Sequence, residues 1–179
     1  LIIYVFYKFV FEIYKDNKVA FLSTALFVSN YGLYNFGTAY LADMGGWFFF
    51  ILSSYFALKY FLNKNKKYYY LTIIFSGIGV FFKEYGALGI ISLTFLILIS
   101  DFPLKKKLKE IITGGLLLSA IPIIFNILFY LKFNYSYLDW YFYAAKSNSI
   151  DYNLILLIKV LGWLYFAGWP IFILGLWQV

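Results

Sequence analysis

Apolar runs long enough to cross a bilayer follow one another through this chain, and every second gap between them is a cluster of lysines. In hydrocarbon, every backbone polar group must find its partner within the segment, so such runs fold as helices. The clusters are Lys15-Asp16-Asn17-Lys18, Asn63-Lys64-Asn65-Lys66-Lys67 and Lys105-Lys106-Lys107-Leu108-Lys109. The intervening gaps carry Asp43, then Lys83-Glu84, then the stretch from Lys132 to Asp151. Cytoplasmic loops of membrane proteins collect Lys and Arg, so the alternation predicts cytoplasmic lysine loops and sparse charges on the outer face of a plasma-membrane, multi-pass protein.

Composition supports this class. Residues are 64% hydrophobic and only 13% charged, whereas a soluble domain is about a quarter charged. The formal net charge is +7, yet the basic residues sit in short loops and form no continuous face. All are Lys, and Arg, the usual bidentate reader of bases and phosphates, is absent. A nucleic-acid partner is therefore excluded. The chain has no Cys and no His, which removes disulfides, thiolate chemistry, Cys/His zinc sites and imidazole catalysis. Any general acid or base is Asp, Glu, Lys or Tyr. No motif demands a cofactor and no metal-ligand set is assigned; a divalent metal held by oxygens is the one such group this composition admits.

A span needs about 20 helical residues. Leu1 to Tyr14 reads as the tail of one span, and Val19 to Leu41 as a polar-rich second. Gly45 to Leu62 crosses back, with Lys59 snorkelling to the surface. Ile111 to Leu131 crosses once, kinked at Pro122. Leu154 to Val179 crosses last. Tyr68 to Ser100 would run to about 50 Å as one helix, too long for a bilayer. It would also place the flanking lysine clusters in different compartments. Two short helices hinged at Lys83-Glu84-Tyr85-Gly86 resolve both problems and submerge the hinge. Tyr137 to Ala145 is aromatic, too short to cross, and reads as an outer interfacial helix. The expectation is an all-α, polytopic transmembrane bundle of about six to seven spans, with one re-entrant-like hairpin. It forms a single transmembrane domain over residues 1–179, an internal fragment of a longer multi-pass protein, since both ends lie within apolar runs.

Lys83-Glu84 is the foremost candidate site: a submerged cation that holds a lipid-linked phosphate, with Glu84 orienting it or touching substrate. The plainer reading is a polar turn that pairs with itself. Asp43 is either an acid sharing a cavity with Lys83 or the N-cap of a helix opening at Gly45-Gly46-Trp47. Asp139, Trp140 and Tyr141 stack on sugar or bracket a head group, or form an ordinary aromatic belt, which is the commoner outcome. Gly77, Gly79, Gly86 and Gly89 are expected to let helices pack closely.

Asp43 followed by Trp47-Phe48-Phe49-Phe50 and the span ending Ala57-Leu58-Lys59-Tyr60 resembles the middle of GT-C-type glycosyltransferases, such as the protein O-mannosyltransferases and the aminoarabinose transferase of lipid A. Phe81-Phe82-Lys83-Glu84-Tyr85-Gly86 resembles the outer lysine motif of these enzymes, and Gly168-Trp169-Pro170-Ile171-Phe172 resembles the helix that closes their membrane unit. The resemblance implies sugar transfer from a polyprenyl-phosphate donor, at the outer face, to a lipid, glycan or protein. It implies Lys83 on the donor phosphate, Asp43 as a secondary acid, and a principal catalytic acid upstream of this chain. A transporter or lipid flippase, or a non-catalytic membrane assembly subunit, stands as the alternative; a transporter calls for paired interrupted segments, and one is visible.

Overall fold

The computed structural model describes residues 1–29, 41–134 and 136. Every regular element among them is helical: α1 (Ile2–Tyr14), α2 (Asn17–Val28), α3 (Leu41–Asn63), α4 (Lys66–Val80), α5 (Leu88–Ile99) and α6 (Leu104–Phe133), with a 3₁₀ turn at Glu84–Ala87 between α4 and α5. Two lysine clusters act as turns through the same two-residue device. Lys15 and Lys64 adopt left-handed backbone (φ 54° and 55°), and their N–H groups return to Phe11 and Tyr60 carbonyls at 2.8 Å, ending α1 and α3. The next residue caps the following helix: Asp16 accepts from the Lys18 N–H at 2.7 Å, and Asn65 from the Lys67 N–H at 2.9 Å.

Two described helices have the length and apolarity to cross a membrane, Met44–Asn63 and Leu104–Phe133. The other four are 12 to 15 residues long. At 1.5 Å per residue they reach only about 18–22 Å, short of a hydrocarbon core of roughly 30 Å. α6 continues through Pro122 as one helix. Residues 30–40, 137–145 and 154–179, which hold the end of the second predicted span, the interfacial helix and the last span, lie outside the described residues.

The chain divides into two compact units, Leu1–Phe125 and Asn126–Val179. In the second, Phe129 lies 5.0 Å from Phe133 and the Ser136 hydroxyl donates to Asn126 Oδ1 at 3.4 Å. In the first, α3 packs on α4 and α5 around Ala57, Tyr60, Tyr69, Ile73, Leu93 and Ile97. Small residues make the seam. A Cβ on Gly89 would run into Ser53 Oγ, and the Ser54 and Ser92 hydroxyls share a hydrogen bond at 2.9 Å. In lipid, where apolar surface gains little by leaving one apolar medium for another, such close backbone approach is what holds helices together.

The interrupted hairpin is present: α4 ends at Val80 and α5 begins at Leu88, so residues 68–100 double back. The three lysine clusters consequently meet at one end of this unit. Glu12 bridges Lys15 (2.9 Å) and Lys59 (3.0 Å), Lys64 Nζ lies 4.7 Å from the Phe102 ring centroid, and Lys66 pairs with Glu110 at 2.7 Å. Lys59 thus contacts a carboxylate of α1 where snorkelling was expected, because α1 packs on α3 and brings Glu12 within reach.

Candidate functional site

Residues 81–87 form the hinge, at the opposite end of α3 from the lysines. From Gly46, which touches the hinge, to Tyr60 at the lysine end, α3 rises about 21 Å. The turn is tight because two glycines meet backbone to backbone: any Cβ on Gly86 would overlap the Gly79 carbonyl. The Lys83 N–H donates to Gly79 O at 3.0 Å and the Gly86 N–H to Lys83 O at 2.8 Å, so the lysine is anchored on both sides. Its own backbone is extended (φ −159°, ψ 150°), one link of strand-like chain between two helical turns.

The hinge is seated on the start of α3. A Cβ on Gly46 would lie 2.6 Å from the Tyr85 ring and 2.9 Å from Lys83 Cβ, and one on Gly45 would enter the Phe82 ring. Phe82 packs on Phe49 with centroids 5.2 Å apart, and Tyr85 on Trp47 at 5.4 Å. Lys83 is half-buried. An ammonium here meets a lower dielectric than at a water-facing loop, which strengthens its attraction for an anion.

Asp43 lies within α3 and not before it, since the helix is formed from Leu41. The N-cap reading at Gly45 is therefore replaced by a place in the first turn of α3. Asp43 stands three residues before Gly46 and four before Trp47 along α3. Glu84 opens the 3₁₀ turn. Asp139, Trp140 and Tyr141 lie outside the described residues.

A second polar cluster received no role from the sequence. Glu110, 4% exposed, sits at the lysine end. Its carboxylate accepts hydrogen bonds from the Tyr60 hydroxyl and from Lys66 Nζ (2.7 Å), and its backbone carbonyl accepts from the Tyr69 hydroxyl at 2.6 Å. A buried carboxylate needs this degree of partnering. The signal in the sequence was an acid entering an apolar run directly after Lys109.

Apolar helices of span length, one broken helix and a lysine at the break are features of a membrane-integral protein. The family model of the dolichyl-phosphate-mannose-protein mannosyltransferases matches residues 1–130. The chain belongs to that family, and so to the GT-C class of membrane glycosyltransferases. The matched stretch includes Asp43 and the whole hinge. No curated protein and no solved structure matches the chain.

Proposed function

We propose that the chain is the membrane core of an enzyme that transfers a sugar from a polyprenyl-phosphate donor to a lipid, glycan or protein acceptor at the extracytoplasmic face of the plasma membrane. In this reading, Lys83 contacts the donor phosphate. As the bond between the sugar's anomeric carbon and the phosphate oxygen breaks, negative charge grows on the departing polyprenyl phosphate, and a fixed ammonium stabilises it. The acceptor hydroxyl forms the new bond and gives its proton to a carboxylate. Asp43 serves as a secondary acid near Lys83, and Glu84 orients the lysine or touches substrate. The principal acid lies upstream of this chain, and Asp139, Trp140 and Tyr141 contribute to substrate binding. The reading includes one transmembrane domain of six to seven spans, with lysine loops in the cytoplasm.

The observation that carries it is the seating of Lys83. The lysine is held by backbone bonds at a break between two short helices, against Gly46, one turn from Asp43 on the same helix. The donor for which the family is named, dolichyl-phosphate-mannose, carries the matching anion.

The test is transfer of label from a polyprenyl-phosphate sugar pool in membranes holding the full-length protein. Lys83→Ala is expected to abolish transfer with membrane insertion intact, and Asp43→Asn to reduce it about ten- to a hundredfold. Full activity with Ala at position 83 would sink the phosphate role.

A further inference from the structure

At the lysine end, about 20 Å along α3 from the hinge, a cavity of about 430 Å³ opens between α4 and α6, lined in part by Lys66, Lys106, Lys109, Glu110, Tyr69 and Thr113. Its size is that of a small-ligand site, for which about 300–1,000 Å³ is usual. Three lysines line it against one carboxylate. That carboxylate is already engaged by Tyr60 and Lys66. Lys106 rests over the Phe102 ring at 3.6 Å, a contact that leaves its charge uncompensated. The Lys109 ammonium has no hydrogen bond or ion pair among the described residues. Glu110 thus fixes Lys66 at the wall, and Lys106 and Lys109 give the cavity a surplus of positive charge.

We propose that this cavity holds the phosphate head group of an anionic phospholipid. The surface beside it selects a lipid over a free anion. Along α6, Leu104, Leu108, Ile112 and Leu116 recur every fourth residue and are 50–70% exposed, forming an apolar stripe that flanks the lysine and threonine face. On the α4 side, Tyr70 and Ile74 are exposed one turn apart. Acyl chains cover such a stripe while the head group enters the basic cavity; a soluble phosphate uses only the second half of the site. Basic pockets between membrane helices at their charged end take up anionic head groups in this way. The inference is independent of any role for Lys83, since the two sites share no residue.

The experiment is native mass spectrometry of the full-length protein in detergent, titrated with phosphatidylglycerol and, separately, with phosphatidylcholine. Phosphatidylglycerol is expected to be retained preferentially. Lys106→Gln/Lys109→Gln is expected to weaken that retention on the order of tenfold or more. Lys106→Arg/Lys109→Arg should keep it, and Lys105→Gln/Lys107→Gln, which removes the same charge from the same turns outside the cavity, should change it less than about twofold. Equal retention of the two lipids would overturn the proposal. So would equal losses from the two Gln pairs, which would indicate surface charge alone. Displacement of the lipid by millimolar inorganic phosphate would replace it with a soluble-anion site.

Discussion

Tyr60 donates its hydroxyl to the carboxylate of Glu110, 50 positions further along the chain, and so ties α3 to α6 at the lysine-rich end. Lys66 and Tyr69 add α4 to the same residue. Removing one partner leaves the others short of a bond in a buried place. Tyr60→Phe and Glu110→Gln are each expected to lower stability in detergent by about 1–3 kcal/mol. Their effects should overlap, so that the double variant loses less than the sum. Thermal unfolding of the four proteins decides this; simple additivity would show that the two side chains act separately.

The glycines differ in what surrounds them, and the difference is measurable. Gly86 meets the Gly79 backbone, which cannot give way as a flexible side chain would, whereas a Cβ on Gly115 meets nothing within 4 Å. Gly86→Ala is expected to lower stability by more than about 2 kcal/mol, or to prevent the hairpin from closing. Gly115→Ala should be neutral or stabilising by up to about 1 kcal/mol, since alanine suits a helix better. The same unfolding assay reads both, and a similar loss from each would contradict the packing described for the hinge.

The hinge was legible because length and charge argue together. A run from Tyr68 to Ser100 is too long for one span, and the lysine clusters at its two ends must share a side. The close-packed glycines were legible for a related reason, since small residues in lipid mark backbone contact. The start of α3 was not. Gly45 and Gly46 suggest a helix that opens there with Asp43 as its cap, yet the helix runs through both, because Phe82, Lys83 and Tyr85 need the space their missing side chains leave. The contacts of Glu12 and Glu110 with other helices escaped notice because charge patterning sees only neighbours in sequence, such as Glu12 and Lys15. Their partners Lys59 and Tyr60 come from another helix and are set by packing alone.

Gly46 offers a way to move the hinge without touching its lysine. A valine there would press on both Lys83 Cβ and the Tyr85 ring. Reactions that depend on positioning lose about a hundredfold for a displacement near 1 Å. Gly46→Val is therefore expected to cut transfer by roughly ten- to a hundredfold while the protein still inserts in the membrane. Labelled-donor transfer, normalised to the amount of inserted protein, is the measurement. Unchanged transfer would mean that the seat on α3 has no part in placing Lys83.

The convergence of three lysine clusters at one end of the first unit turns the topology into a sharp prediction. Positive charge is retained in the cytoplasm, so the turn at Asn65 is expected inside and the segment around Asn148 outside. The chain has no cysteine, and a single Cys placed at either position reports without background. A membrane-impermeant thiol reagent applied to intact cells should label Asn148→Cys at once and Asn65→Cys only after permeabilisation. Labelling of both from the same side would overturn the alternation of the spans. An exchange of sides would keep the bundle but turn it over, placing Lys83 toward the cytoplasm and the basic cavity toward the outer leaflet, where the donor and lipid assignments would both fail.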